Sequence, residues 1–357
     1  MPTTTLSEET ALLAQLVALP SVSGEEQIVA AALQRAATAL GLKVWCNDNG
    51  VFIEVAGRSS GPTLAFLSHI DTVPPGDGWS RNPFGAEVDD GRLFGRGSSD
   101  AKASVAAMLY AAHDLQRSGL PSRGRLLAIF GFNEETKATS MPAAVAECGR
   151  LDAAVIGEPT SLSLACAQRG LVVAEITASG TQRHAAHSST DDDNSILRLA
   201  RDLLCAETLF AEREHALLGR VSVTPTMISG GVARNLTAPA AHAVLDIRTT
   251  PDWTHDEIES LLRSTLKADV VIASKRLLPC ETPRESSLLA LAQQLRPEAR
   301  RYGSPTCSDW VFVRHLDAFK CGPGDSALSH RPDESVDLLQ VREARKFYAA
   351  LAAGYLS

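Results

Sequence analysis

No CxxC pair occurs in this sequence, and its seven cysteines (Cys46, Cys148, Cys166, Cys205, Cys280, Cys307 and Cys321) are scattered and odd in number. That argues against a disulfide framework and against a thiolate zinc site; any metal must sit on histidine and carboxylate. Positive charge is short as well: 34 lysines and arginines face 42 aspartates and glutamates, for a net charge of −8. Such a balance gives no electrostatic case for nucleic acid or an anionic membrane, and a small molecule is the expected partner. No apolar run approaches the roughly 18 residues that a spanning helix needs, and MPTTTLSEET carries neither a basic nor an apolar leader region, so a soluble cytoplasmic protein is expected. Low-complexity tracts and repeats of about 20–50 residues are missing too. At 357 residues the chain exceeds one ordinary core, and domains of roughly 100–200 residues suggest two.

The first part alternates helix and strand. Ser23-x-x-Glu26 has the form of a capping box opening a helix through AAALQRAATAL, which Gly41 can close. LKVWCND and VFIEVAG, separated by Asn49-Gly50, carry a hairpin signature. TLAFLSH, RLLAIFGF and AAVIG are apolar runs of strand length, separated by helical stretches at AKASVAAMLYAAHDLQ and near PAAVAEC. This predicts an α/β fold with a mostly parallel, buried sheet. From about Leu171 the order becomes β-α-β-β-α-β, a complete ferredoxin-like unit. The α/β pattern then resumes with SLLALAQQL, AFKCG and a last helix through REARKFYAALAAGYL. The expected division is a catalytic domain over 1–172 and 281–357 with a second domain, 173–280, inserted in it.

In open α/β sheets ligands gather beyond the carboxyl ends of the strands. TLAFLSH runs into His69-Ile70-Asp71, LAIFGFN into Glu134-Glu135, AAVIG into Glu158, and AFKCG into a loop ending at His330, while Asp100 follows the Gly-rich LFGRGSS and opens a helix. Each has an ordinary reading by itself: a hydrogen-bonded histidine at a strand end, an N-cap aspartate, two solvated glutamates. Together, five carboxylates and two histidines on one sheet edge would repel one another or be forced to protonate, and cations resolve the conflict. Asp100, Glu135 and Glu158 bring three negative charges, which two divalent ions with one hydroxide neutralise. Imidazole and carboxylate without thiolate suit Zn2+, with Co2+ or Mn2+ as substitutes. In His69-x-Asp71 the side chains share one face of a strand, so Asp71 can accept from the imidazole N–H that a metal leaves free. Glu134 and Glu135 are adjacent and must point apart, so one can bind metal while the other moves protons.

The strings SHIDTVP, GRGSSDAKA, NEE, IGEPTSL, QRG, ARNLTAP, CSD and GPGDSALSHRPDES follow one another over essentially the whole chain. In that order they resemble successive motifs of the dinuclear zinc aminoacylase and metallopeptidase family, which includes acetylornithine deacetylases, succinyl-diaminopimelate desuccinylases and glutamate carboxypeptidases. The resemblance implies that Asp100 bridges two metals, that His69 and Glu158 complete one site and Glu135 and His330 the other, and that Glu134 is the general base. It implies a cis peptide between Asp100 and Ala101. It also implies that the inserted domain is a lid joining two chains in a homodimer, with His187 of HAAHSS reaching the partner's scissile carbonyl and His184 as the alternative histidine. Asn235 and Arg248 resemble residues facing the substrate's carboxylate end, a structural ion pair being the ordinary alternative for Arg248. Ala103 and Ala138 stand where the family usually has glycine.

The implied reaction is hydrolysis of the N-acetyl amide of a small amino acid. IGEPTSL and the stretch from CSD through GPGDSALSH look closest to the arginine-biosynthesis branch, with N-acetyl-L-citrulline the first choice and N-acetyl-L-ornithine the second. Rival readings are an N-succinyl-diaminopimelate desuccinylase or a dipeptidase on the same fold, and a non-catalytic relative that binds amino acids or serves as an assembly subunit. The complete ligand set with Glu134 argues against the last.

Overall fold

The apolar runs Ser59–His69, Arg123–Gly131, Ala153–Ile156 and Asp317–Lys320 lie parallel in the computed structural model, which describes residues 6–187 and 194–357. Arg123–Gly131 and Ala153–Ile156 flank Ser59–His69, and Asp317–Lys320 follows beyond Ala153–Ile156. Leu64, Ala65, Phe66 and Leu67 are all fully buried along one strand, as a parallel sheet covered on both faces requires. At one edge the hairpin of Lys43–Asn47 and Gly50–Ala56 adds antiparallel to Arg123–Gly131; at the other, Leu164–Gln168 runs antiparallel to Asp317–Lys320. The hairpin loop is Asp48-Asn49 rather than Asn49-Gly50, because Asn47 pairs with Gly50. Gly50 begins the returning strand at φ 153, where a Cβ would stand 2.5 Å from the Phe130 carbonyl oxygen.

The expected capping box at Ser23 and Glu26 does not form. The helix Gln27–Ala39 starts without a side-chain cap. Ser23 Oγ donates instead to Asp71 Oδ2 at 2.6 Å, and Glu26 Oε1 accepts the N–H groups of Gly24 and Asn133 at 2.9 and 3.0 Å. Gly41, at φ 70, does end that helix: its N–H and that of Leu42 return to the carbonyls of Thr38 and Ala37. The helices Lys102–Arg117 and Leu338–Tyr355 pack together, and Arg345 on the second donates to both oxygens of Asp114 on the first, each at 2.7 Å.

The chain divides into two compact units, one of Met1–Cys166, Thr282–Tyr302 and Ser308–Ser357, the other of Ala167–Glu281 and Gly303–Cys307. In the second, an antiparallel sheet has the order Ser222–Gly230, Ala240–Thr249, Gly170–Ser179, Asp269–Leu277. With the helices Ser195–Thr208 and His255–Thr265 this is a βαββαβ, ferredoxin-like arrangement. Val172, Ala174, Ile176 and Ala178 alternate along the first strand and share a core with Leu199, Ile258 and Leu262. A capping box does form here, between Thr254 and Glu257. Ser188 and Ser189 of the HAAHSS motif lie outside the described residues. No described helix is long and apolar enough to cross a membrane.

Candidate metal centre

His69 ends its strand opposite Gly131, the last residue of the neighbouring one. Glu134 and Glu135 follow Gly131 through a turn in which Asn133 takes φ 48. Glu158 follows the strand Ala153–Ile156 after Gly157, where a Cβ would meet Met108 Cε at 2.7 Å and Ser104 Cβ at 2.8 Å; only glycine lets this strand end approach the Lys102–Arg117 helix. His330, at φ 64, comes from the loop after Asp317–Lys320, and Asp100 from the loop before the helix.

Sequence-distant residues meet here. His69 Nε2 lies 3.2 Å from Asp100 Oδ1 and 3.9 Å from Glu158 Oε1, while His330 Nε2 lies 2.9 Å from Glu135 Oε2 and 3.8 Å from Asp100 Oδ2. Each oxygen of Asp100 thus faces one histidine, and each histidine has a glutamate of its own. Ligand atoms of His69, Asp100 and Glu135 all lie within 4.8 Å of one another. The ordinary reading of Asp100 does not hold, because the N-cap of the helix is Ala101, without a side-chain cap bond. The Asp100–Ala101 peptide is cis. Ala138, where the family usually has glycine, takes the left-handed φ of 45.

Asp71 is fully buried. Its Oδ1 is 3.4 Å from His69 Nδ1, its own carbonyl being nearer at 3.1 Å. The carboxylate also accepts the N–H groups of Glu134 at 3.0 Å and Glu135 at 3.1 Å. The His69-x-Asp71 spacing shows the pairing with the imidazole but not this hold on the two glutamates.

The electrostatics follow from crowding. Burial, then the charges of Glu158, Asp309 and Glu135, hold the Glu134 carboxyl well above the carboxylate range, with His69 opposing. Burial and the charge of Asp100 push Glu158 up to about 8, and burial pushes Asp309 to about 7. Burial opposes charge on His69, but Asp100 and Asp71 outweigh it and its pKa is raised; burial likewise opposes ionisation of Asp100, which His69 and His330 favour, and its pKa is lowered. Two imidazoles around one divided carboxylate, with a glutamate on each side and no thiolate, are a donor set that fits two divalent cations.

Glu334, Arg96 and Asp309 escaped sequence reasoning. Glu334 and Asp309 stand within HRPDES and CSD, but residue type does not distinguish a buried carboxylate from a solvated one. Both are buried, and Asp309 Oδ1 has no hydrogen-bond partner among the described residues.

In the second unit, His184 and His187 are exposed about the turn Ala185–His187, with ring centroids 5.8 Å apart. The His187 N–H donates to the His184 carbonyl, and that of Ala185 to the carbonyl of the exposed Asn235, both at 2.8 Å. The histidine turn and the Asn235 loop are therefore joined. Arg248 donates from Nε and Nη2 to Asp246 Oδ1 and Oδ2 at 2.7 and 3.0 Å, the ion pair that was its ordinary reading.

Residues 65–354 match the family described as Peptidase family M20/M25/M40. The chain is 31% identical to a succinyl-diaminopimelate desuccinylase of Cereibacter sphaeroides, over 97% of this chain and 98% of that one. It is 28% identical to a protein of that name from Parvibaculum lavamentivorans, over 96% and 94%. Among solved structures, aminopeptidase PepT from Bacillus cereus superposes with a TM-score of 0.79 at 16% identity, covering 97% of each chain. A dinuclear metal binding peptidase of the M20 family from Bacillus subtilis gives 0.74 at 17%, covering 98% of each. At those identities the structures establish the fold.

Proposed function

Because the chain belongs to peptidase family M20/M25/M40 and is a metal-dependent amidohydrolase, we propose that it deacylates a small N-acyl amino acid, with His69, Asp100, Glu135, Glu158 and His330 holding two divalent cations. The observation that carries this reading is the division of Asp100, one oxygen toward His69 and the other toward His330, as a carboxylate shared by two cations would stand. Zn2+, or Co2+ or Mn2+ in its place, would polarise the scissile carbonyl and lower the pKa of the attacking water.

The rest of the chemistry belongs to the side chains. Glu134, whose pKa is raised by burial and neighbouring charge, is suited to take a proton from the attacking water and return it to the leaving amine as the C–N bond breaks. The water oxygen stays on the acyl carbon, so a carboxylate and a free amino acid leave. Asp71 orients both glutamates through their N–H groups. His187 is proposed to stabilise the developing oxyanion in the partner's site, and Asn235 and Arg248 to face the substrate's carboxylate end. The inserted unit is proposed to act as the lid and to join the homodimer.

For the acyl group, the IGEPTSL and GPGDSALSH stretches favour acetyl, on N-acetyl-L-citrulline or N-acetyl-L-ornithine in arginine biosynthesis. A second reading, succinyl on diaminopimelate in lysine biosynthesis, is favoured by the name of the relatives 31% identical to this chain. Turnover on N-acetyl-L-citrulline, N-acetyl-L-ornithine, N-succinyl-L,L-diaminopimelate and a dipeptide panel, with added Zn2+ or Co2+, tests both. The larger kcat/KM assigns the acyl group; preference for dipeptides, or no amide cleaved, refutes the proposal.

A further inference from the structure

We propose that Glu334 is a positioning residue for the metal centre: its buried carboxylate fixes the backbone of the loop presenting Asp100, from the same chain segment that carries His330. The inference rests on the reading of Asp100 as a ligand shared by two cations.

Glu334 is fully buried, and its two oxygens collect four donors. Oε1 accepts the N–H groups of Ser99 at 2.9 Å and Asp100 at 3.0 Å; Oε2 accepts that of Gly97 at 3.2 Å and Arg96 Nη1 at 2.6 Å. Backbone N–H groups converging from one loop make a concavity for an anion, and here the anion is a side chain of the protein. Gly97 takes φ 82, and a Cβ there would stand 2.6 Å from Thr72 Cγ2, so the loop has little room to shift. Arg96, also buried, spends Nη2 on the Pro75 carbonyl at 3.1 Å and sits over the Trp79 ring at 5.2 Å.

The segment is tied on either side of the carboxylate. Asp333 accepts the Ser80 N–H at 3.0 Å and its hydroxyl at 2.8 Å, and the Glu334 carbonyl accepts the Gly95 N–H at 2.9 Å. Ser335 then pairs with Phe94 in a short antiparallel strand. His330 is half-exposed; its imidazole meets Glu135 at 2.9 Å, and its backbone leads directly into these ties. One stretch, 330–335, therefore sets the imidazole on one side of Asp100 and the peptide N–H of Asp100 itself. The Asp100 side chain meets His69 at 3.2 Å, and the backbone from which it is presented is the one whose N–H Glu334 holds.

The requirement for glutamate is steric and chemical. Glutamine keeps one acceptor oxygen and turns an NH2 donor toward either the paired N–H groups or Arg96. Aspartate keeps the charge but is one methylene short of reaching both sets of donors. If Glu334 served only as the buried partner of Arg96, either substitution would lower stability and leave cation binding alone. If it served only as a distant negative charge attracting cations, Glu334→Asp would bind them normally.

The experiment titrates Co2+ into the metal-free full chain, following heat and visible absorption, for wild type, Glu334→Gln, Glu334→Asp and Asp114→Asn. The last breaks the Arg345 pair between the helices Lys102–Arg117 and Leu338–Tyr355 and controls for lost stability. Both Glu334 variants are expected to bind Co2+ more weakly by about 10–100-fold, the usual effect of removing a group that orients a ligand, and with altered Co2+ bands. Asp114→Asn is expected to lower Tm with affinity and spectrum unchanged. Wild-type affinity and spectrum in Glu334→Asp overturn the proposal. Should neither Glu334 variant fold, Arg96→Lys, which keeps the charge but loses the planar pair of donors that holds Oε2 and the Pro75 carbonyl together, carries the same test with the same two outcomes. A wild-type chain that takes up no Co2+ refutes the two-cation reading itself; two Co2+ held equally by wild type and Glu334→Asp refute only the role of Glu334.

Discussion

Asp71 accepts the backbone N–H of Glu134 at 3.0 Å. Its other oxygen takes the N–H of Glu135 at 3.1 Å and the hydroxyl of Ser23 at 2.6 Å. A single buried aspartate therefore orders the imidazole of His69 and the two glutamates together. Asp71→Ala leaves two part-buried N–H groups without acceptors, at about 1–3 kcal/mol each, and frees both glutamates to drift. The expected result is a folded but less stable chain whose kcat falls by about 10–100-fold, measured by denaturant unfolding and steady-state rates. Wild-type kcat in this variant removes the orienting role.

Glu134 should be separable from the metal ligands. Glu134→Gln is expected to keep its full complement of divalent ions while losing about 10²–10⁴-fold in rate, the range of general acid–base catalysis. His69→Ala and His330→Ala should instead lose metal and activity together. Elemental analysis beside the rates distinguishes the two behaviours, and full activity in a thoroughly chelated wild-type sample would sink the metal reading altogether.

Stability should depend on pH in a way that metal reverses. In the metal-free chain burial is the first cause holding Glu158 at about 8 and Asp309 at about 7, and it raises Glu134 as well. These carboxyls titrate near roughly pH 4 when unfolded, so between about pH 5 and 8 the folded state holds more protons than the unfolded. Stability therefore falls as pH rises through that window; the contribution is complete below the unfolded pKa and lost through the folded one. The raised His69 adds with the same sign. Cations favour the ionised carboxylates, so the gap in Tm between Zn2+-loaded and metal-free protein should widen from pH 5 to pH 8. A constant or narrowing gap contradicts the assignment.

The strand Ser222–Gly230 lies at the end of its sheet, and Met227 and Ile228 on it are 67% and 64% exposed. An open strand edge bearing apolar side chains readily pairs with another, and an identical unit would do so about a two-fold axis. The chain is expected to be a homodimer by light scattering. If His187 serves the partner's site, His187→Ala should lose roughly 10²–10³-fold in turnover, as for other oxyanion donors, with metal content unchanged. Mixing inactive His187→Ala and Glu134→Ala chains should then restore activity, since one site of a mixed dimer has both groups. Exchange confirmed by mass without returning activity shows that His187 does not act in trans.

The sequence by itself determined the parallel sheet and most of its loaded edge. Continuous apolar runs such as TLAFLSH and RLLAIFGF can be buried only with both faces covered, and polar residues at their ends have nowhere to go but the carboxyl edge, so His69, Glu134, Glu135 and Glu158 were legible in order. Tertiary structure alone decided which polar groups are spent on one another. Ser23-x-x-Glu26 and Thr254-x-x-Glu257 have the same local form, yet only the second caps a helix; Ser23 goes to Asp71 and Glu26 to Asn133. Likewise nothing local marks Glu334 as the acceptor for Gly97, Ser99 and Asp100. A helix cap is worth about 1 kcal/mol, whereas a buried carboxylate or N–H without a partner costs as much or several times more. Those partners come from residues far away in the chain, and where the two demands compete, the long-range one prevails.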